Sequence, residues 1–173
     1  MKTILYVDLD KCLGCKTCEL QCAIEHSQSK ALFKAIKEEP LSQTRVKVEA
    51  YGDLSVPLQC RHCEDAPCIK ICPTKALEKL APGEPVIIKE DLCIGCKWCV
   101  LVCPFGVLNV NREGKVIIKC DLCLERLEKG EEPACVKSCP TKALQLLSIE
   151  GIAKLKKAEF LVGFKKDGKI IKG

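Results

Sequence analysis

The chain has 173 residues, enough for one compact domain or two small ones closely joined. Four Phe, two Tyr and one Trp exclude an ordinary aromatic core, and no run of 18 apolar residues is available to span a membrane. The formal charge of +5 counts all sixteen cysteines as neutral thiols, so it is weak support for a nucleic-acid partner.

In chain order, Thr3–Val7 predicts a strand leading into the first cysteine group, Cys12, Cys15, Cys18 and Cys22, in CLGCKTCELQC. Ala23 follows Cys22, so this motif can run straight into a helix. Residues 23–59 read as an insertion. Within it, residues 27–39, with Leu32, Ala35 and Ile36 spaced along one side and Phe33 flanking, predict an amphipathic helix ending before Pro40. Residues 44–51 alternate and predict a strand, closed by a turn at Gly52 and Asp53.

The second group is Cys60, Cys63, Cys68 and Cys72, in CRHCEDAPCIKIC. A strand over 86–89 precedes the third, Cys93, Cys96, Cys99 and Cys103, in CIGCKWCVLVC. Another over 116–119 precedes the fourth, Cys120, Cys123, Cys135 and Cys139, which has a longer internal gap. Short helical turns are expected around the third and fourth ligands. The Pro after Cys72, Cys103 and Cys139 permits a first helical turn and blocks a continuing one. The tail, 148–173, predicts a lysine-rich helix with Ile149, Ile152 and Leu155 on one face. A hairpin, EFLVGFKKDGKIIKG, follows, turning at Asp167 and Gly168.

Internal repeats organise these elements. CPTKAL occurs at 72–77 and 139–144, VIIKEDLC at 86–93 resembles VIIKCDLC at 116–123, and ILYVDLDKC at 4–12 is a looser version. A strand–loop–helix unit is used four times in two pairs. The expected fold is α+β, with duplicated ferredoxin-like modules. One half comprises 1–22 with 117–147 and the other 60–116, with the insertion at 23–59 and an extension at 148–173.

The C-x2-C-x2-C-x3-C spacing lets three thiolates wrap one [4Fe–4S] cube, and Gly14 and Gly95 lie in such loops, where positive φ or close approach to sulfide is expected. Sixteen cysteines with none left over match four [4Fe–4S] clusters, and no missing ligand calls for a three-iron cluster. In two-cluster ferredoxins the fourth cysteine ligates the other cluster. The second and third motifs, close in sequence, are expected to pair, leaving the first and fourth for each other. The ligand sets are then Cys12, Cys15, Cys18 and Cys139 for cluster 1, and Cys60, Cys63, Cys68 and Cys103 for cluster 2. Cysteines 93, 96, 99 and 72 (Cys93, Cys96, Cys99, Cys72) make cluster 3, and Cys120, Cys123, Cys135 and Cys22 make cluster 4.

Structural zinc is the alternative. Cys60-x2-Cys63 and Cys120-x2-Cys123 alone suit a zinc ribbon, whereas three close thiolates in one loop exceed what a tetrahedral ion takes. Each oxidised cluster with its thiolates adds a charge of −2, so the loaded chain carries about −3. Without clusters the chain is expected to fold poorly.

Other residues carry weaker signals. His26 and His62 could donate hydrogen bonds to sulfur, but surface or packing roles are expected for both. Trp98 is expected to shield the third cluster rather than anchor a partner, and the basic run 154–157 to be a solvated helix face. No phosphate loop, nucleophile–base pair, or flavin or nicotinamide fingerprint is present, so no catalytic residue is assigned. MKTILYVDLDKC has neither a secretory pattern nor a twin-arginine pair, so a cytoplasmic location is expected. There such cysteines read as metal ligands rather than disulfides.

The four motifs in this order, the long spacer in the fourth and CRHCEDAPCIKICPTKAL in the second carry a resemblance over most of 4–147. The chain resembles the four-cluster electron-transfer subunits of DMSO reductase, formate dehydrogenase, hydrogenase and CO dehydrogenase systems. After the first motif, Glu25, His26, Ser27, Ser29 and Lys30 are most similar to the CO dehydrogenase-associated, CooF-like iron–sulfur proteins. The resemblance implies an electron-transfer subunit that does no substrate chemistry. Its partners would be a catalytic subunit, CO dehydrogenase above all, and a downstream hydrogenase, flavoenzyme or ferredoxin. It implies neither a nucleic-acid partner nor direct membrane insertion. A formate-dehydrogenase or hydrogenase partner is the close alternative. A zinc-binding interaction module or a free polyferredoxin would be a different class. The insertion, particularly 25–34, is expected to dock the catalytic partner.

Overall fold

The computed structural model describes residues 3–167. The strands are β1 (Thr3–Val7), β2 (Val46–Tyr51), β3 (Leu54–Gln59), β4 (Leu77–Lys79), β5 (Val86–Ile88), β6 (Asn109–Val110), β7 (Ile117–Ile118) and β8 (Leu144–Ser148). The helices are α1 (Thr17–Glu25), α2 (Leu32–Ala35), α3 (Pro67–Lys70), α4 (Trp98–Leu101), α5 (Leu124–Glu128), α6 (Ala134–Lys137) and α7 (Ile149–Asp167). The strands form four two-stranded antiparallel sheets: β1 with β8, β2 with β3, β4 with β5, and β6 with β7.

The strand before motif 1 therefore pairs with the strand after motif 4, placing Val7 opposite Leu144. The strand after motif 2 pairs with the strand before motif 3, placing Leu77 opposite Ile88. Local details repeat. The Asp8 N–H donates to the Ala143 carbonyl at 2.8 Å, and the Lys89 N–H donates to the Ala76 carbonyl at 2.8 Å. A single 3-10 turn then leads into the cysteines, Leu9–Lys11 in one case and Glu90–Leu92 in the other. Hairpins β2–β3 and β6–β7 occupy matching places, joining motif 1 to motif 2 and motif 3 to motif 4. The second part of the insertion is thus a longer copy of a feature of the repeat.

Two small cores follow the strand pairing. Leu5, Val46, Val48, Leu122, Val136 and Leu144 pack with Cys18, Cys22, Cys135 and Cys139. Ala66, Leu77, Val86, Val107, Leu108 and Ile117 pack with Cys60, Cys68 and Cys99. Both are aliphatic and partly built of thiols. Cores this small leave metal ligation to supply much of the folding energy.

Several sequence expectations need correction. The helix expected over 27–39 shrinks to α2, one turn. The Ser27 Oγ accepts the Lys30 N–H at 3.0 Å, and the Glu38 carboxylate accepts the Gln28 and Ser29 N–H groups at 3.1 and 2.8 Å. These bonds hold a turn in which Lys30 is left-handed, φ 49°, and Ala31 extended, so the helical path is broken before Leu32. The strand expected over 44–51 begins at Val46, where the Thr44 Oγ1 takes up the Val46 N–H. The strands over 86–89 and 116–119 shorten to β5 and β7.

In the tail, residues 159–167 continue α7 instead of starting a hairpin, while Gly168 and the proposed second strand lie outside the described residues. Ser148 caps this helix, its Oγ accepting the Gly151 N–H at 3.1 Å. The Lys156–Glu159 pair at 2.8 Å supports the following turn, and the helix formers Ala158, Glu159 and Leu161 carry it on. Ile152 and Leu155 are partly buried, whereas Ile149 stays exposed.

Candidate metal centres

The motif loops are shaped by left-handed residues at matched positions. Gly14 and Gly95 have φ of 65° and 68°, and Lys16 and Lys97 have φ of 58° and 64°. A Cβ on Gly14 would meet the Ser55 Oγ at 2.5 Å, and one on Gly95 the Lys115 carbonyl oxygen at 2.2 Å. Positive φ is as expected. The close approach on this side, however, is to the hairpin behind each loop. Lys75 and Lys142 repeat the conformation in the two CPTK turns, with φ of 55° and 54°.

Helix α1 carries Cys18 and Cys22 four residues apart on its buried side, so the first motif does run into a helix. Helices α3, α4 and α6 carry Cys68, Cys99 and Cys135, the third ligand of each remaining motif. Cys12, Cys15, Cys18 and Cys139 line one cavity, together with Pro140 and Leu144. Cys135 lies within electrostatic reach of Cys120, Cys123, Cys22 and Cys18, Cys68 of Cys60 and Cys103, and Cys99 of Cys68, Cys96 and Cys72. Each of these groups contains the fourth cysteine of the companion motif.

The chemistry of these donors fits a metal–sulfur group. Burial pushes Cys18, Cys99 and Cys123 up to about 11 and Cys120 up to about 12, and neighbouring thiols add to the rise. As bare thiols they keep their protons at neutral pH; only a bound cationic core makes four adjacent thiolates stable. Backbone donors face the sulfurs in matched fashion. The His62 N–H donates to the Cys60 Sγ at 3.4 Å, and the Leu122 N–H to the Cys120 Sγ at 3.3 Å. Burial opposes ionisation of Cys72 and Cys139. The Leu77 and Leu144 N–H groups and the Thr74 and Thr141 hydroxyls outweigh it, and both pKa values fall.

Both histidines are more buried than a surface role allows. His26 Nδ1 is 2.8 Å from the Cys22 carbonyl and 3.7 Å from the Cys22 Sγ, while Nε2 is 3.1 Å from Asp121 Oδ1. Burial works against its charge, but Asp121 and Cys22 hold its pKa up at about 10. Asp121 also accepts from the Arg45 guanidinium at 2.6 Å and the Cys123 N–H at 2.9 Å. Burial works to raise its pKa, yet His26 and Arg45 keep the carboxyl well below the usual range. The Arg45 N–H donates to the Cys22 Sγ at 3.2 Å. Glu25 pairs with Arg126 at 2.9 Å and Lys30 with Glu125 at 2.7 Å. Glu25 and His26 thus turn inward onto motif 4, while Lys30 pairs with Glu125 at the surface, contacts the sequence could not reveal because 95 residues separate His26 from Asp121.

His62 accepts the Val86 N–H on Nδ1 at 3.1 Å, and burial pushes its pKa down to about 3. The ring is neutral with its proton on Nε2, a buried donor with no partner among the described residues. Trp98 stays 52% exposed instead of being packed away, on the same short segment as Ile94 and Leu101, which are 68% and 82% exposed. Among the described residues no helix is long and apolar enough to cross a membrane.

Known proteins share this pattern. Residues 53–149 match the model of a 4Fe-4S dicluster domain, and residues 9–23 match that of a 4Fe-4S binding domain. An iron-sulfur protein of Rhodospirillum rubrum is 42% identical over 159 residues, covering 85% of this chain and 83% of its own. The B subunit of the anaerobic dimethyl sulfoxide reductase of Escherichia coli K12 is 36% identical over 157 residues, covering 86% of this chain and 75% of its own. The zinc reading falls with these matches. The chain belongs to the 4Fe-4S dicluster family of iron–sulfur proteins, and its sixteen cysteines hold four [4Fe–4S] clusters.

Proposed function

We propose that this chain is an electron-transfer subunit that passes single electrons between a catalytic oxidoreductase subunit and a downstream acceptor, and does no substrate chemistry itself. The carrying observation is the strand pairing, which joins motif 1 to motif 4 through β1 and β8 and motif 2 to motif 3 through β4 and β5. It supports exchanged ligation, with Cys139 completing the set of Cys12, Cys15 and Cys18, and Cys22 that of Cys120, Cys123 and Cys135. Likewise Cys103 completes Cys60, Cys63 and Cys68, and Cys72 completes Cys93, Cys96 and Cys99. Domain limits follow these pairs, 1–22 with 117–147 and 60–116.

Bound there, the clusters supply one-electron redox chemistry. The protein's part is to bind, to shield and to order them. Cys60, Cys63 and Leu122 line a common cavity, which supports an arrangement with the second and fourth sets in the middle. The exposure of Cys15 and Cys96 supports the first and third sets as the two ends. The aliphatic cores pack against cysteines of all four sets, which supports their shielding from water.

The catalytic partner we propose is CO dehydrogenase, in the cytoplasm, on the strength of Glu25, His26, Ser27, Ser29 and Lys30. A DMSO-reductase-type catalytic subunit is the second reading, favoured by the dimethyl sulfoxide reductase relative. Anaerobically purified protein mixed with catalytic amounts of each enzyme separates them. CO with CO dehydrogenase should bleach the visible clusters within the mixing time. Bleaching only with the molybdenum enzyme and its reductant overturns the first assignment. Failure with both, at about sixteen irons per chain, overturns the electron-transfer reading.

A further inference from the structure

VIIK occurs twice, and its lysine meets two different fates. Lys89, after β5, is exposed and pairs with Glu78 at 2.8 Å. Lys119, after β7, is 2% exposed. Its Nζ donates to the Cys120 carbonyl at 2.6 Å and to the Val86 carbonyl, and no carboxylate of the described residues forms an ion pair with it. A buried ammonium held only by carbonyl dipoles is strongly destabilising unless a counter-charge lies nearby. No acidic side chain of the described residues is ion-paired with it, so the thiolate sets beside the lysine are its candidate counter-charges.

Lys119 is placed to serve two of them. It is adjacent in sequence to Cys120, and its charge also acts on Cys68, from the second set. Through Val86 it is tied to β5, in the half built on motifs 2 and 3. At the matching position before Cys60 stands Gln59, equally buried but uncharged. His62, also facing this region, is held neutral by burial and by Lys119 itself.

We propose that Lys119 is a positioning residue whose buried ammonium is the shared counter-charge of the two middle clusters and raises both their reduction potentials. Reduction adds one negative charge to a cluster, and a fixed cation beside it stabilises that charge most where water is excluded. One cation between two neighbouring sites acts on both, leaving the end sites at the exposed Cys15 and Cys96 largely untouched. This inference rests on the ligand sets proposed above.

The test uses the cluster-loaded full chain carrying Lys119→Gln, Lys119→Met or Lys119→Arg. Iron and sulfide are counted first, and each cluster is then followed by EPR during an anaerobic redox titration. Lys119→Gln keeps N–H donors and removes the charge. It should lower two of four midpoints, changing the reduced-to-oxidised ratio about tenfold at fixed potential, or about 59 mV for one electron. Lys119→Met should do the same or more, and Lys119→Arg should restore both midpoints. Unchanged midpoints in Lys119→Gln overturn the proposal, as does a common shift of all four or a shift of only one. If the uncharged variants lose the two middle clusters, retention by Lys119→Arg still supports the charge, whereas equal loss in Lys119→Arg shows a packing role and overturns it. A wild-type count of eight irons would instead overturn the four-cluster assignment.

Discussion

The two halves of the molecule use the same cluster-binding devices and finish their surfaces differently. In the half of motifs 1 and 4, the insertion folds back and fastens itself with ions: His26 and Arg45 on Asp121, Glu25 on Arg126, Lys30 on Glu125. In the half of motifs 2 and 3, the corresponding hairpin, β6–β7, is only two residues per strand. There Leu92, Ile94, Trp98, Leu101 and Phe105 remain exposed around the third motif. Leu13, Leu20, Leu32, Phe33 and Ile36 are exposed in the braced half as well, so the halves differ in ionic bracing and hairpin length, while both ends carry apolar surface beside a ligand loop. An end from which electrons must leave needs close contact with another protein, and apolar exposed residues around a ligand loop supply it.

The largest effects come from the cysteines, which test whether the halves are internally linked. Cys139→Ala should remove the cluster held by Cys12, Cys15 and Cys18 and spare that of Cys120, Cys123 and Cys135. Cys72→Ala should likewise remove that of Cys93, Cys96 and Cys99. Iron analysis with EPR of each variant checks this, and loss at the local motif in both would break the exchanged pairing.

The brace comes next. Asp121 accepts from two cations and one backbone N–H, and its side chain is 31% exposed. Asp121→Ala strands His26 and Arg45 partly buried, at a cost of about 3 kcal/mol. Thermal unfolding of the loaded protein measures it. No counterpart is expected from Asp91→Ala at the equivalent position of VIIKEDLC, since Asp91 is exposed.

The glycines sharpen the comparison further. Gly95→Ala places a methyl against a backbone carbonyl at positive φ, and should cost about 2 kcal/mol. Gly14→Ala meets a serine side chain that can rotate, and should cost about 1 kcal/mol. Equal losses in unfolding experiments would show that the hairpins press on the two loops alike.

Much of this was legible in the sequence because thiolate spacing is a strict code. Three ligands in seven residues leave few ways to wrap a cube, and two copies of CPTKAL announce the duplication. β1 was foreseen at its observed bounds. What escaped was set by contacts distant in sequence or by a break in the local backbone path. The helix over 27–39 failed because Lys30 is left-handed and Ala31 extended, which breaks the helical path before Leu32. The inward turn of Glu25 and His26 and the surface pairing of Lys30 depend on Asp121, Glu125 and Arg126, which no local pattern ties to them. Lys119 and Lys89 share the same four-residue context and separate only when the halves pack.

The apolar surface around the third motif should matter to partners and not to folding. Leu101 is 82% exposed, three residues from Trp98 on α4. Leu101→Glu or Ile94→Glu should leave the iron content unchanged and weaken binding of the redox partner about tenfold, about 1.4 kcal/mol. Titration calorimetry or surface binding with the loaded protein measures this. Unchanged affinity in both would move the contact to the other end of the chain of clusters.

The smallest effect is expected where the sequence had placed the docking contact. Lys30 reaches Glu125 at 2.7 Å and Glu25 at 3.4 Å, but its own side chain is 47% exposed and that of Glu125 is 73% exposed. Water and salt screen such a pair, so Lys30→Ala should cost only about 0.5 kcal/mol. His26 and Arg126 would still hold the segment against motif 4, and the insertion would keep its place. Electron transfer from the catalytic partner should then stay near the wild-type rate, as it should for Gln28→Trp at the exposed neighbouring turn. A large loss of transfer in both variants, with iron and unfolding unchanged, would show that partner contact extends over the braced half. The apolar surface around the third motif would then not be the whole of the docking site, and the exposed Phe33 and Ile36 of the insertion would be the next positions to change.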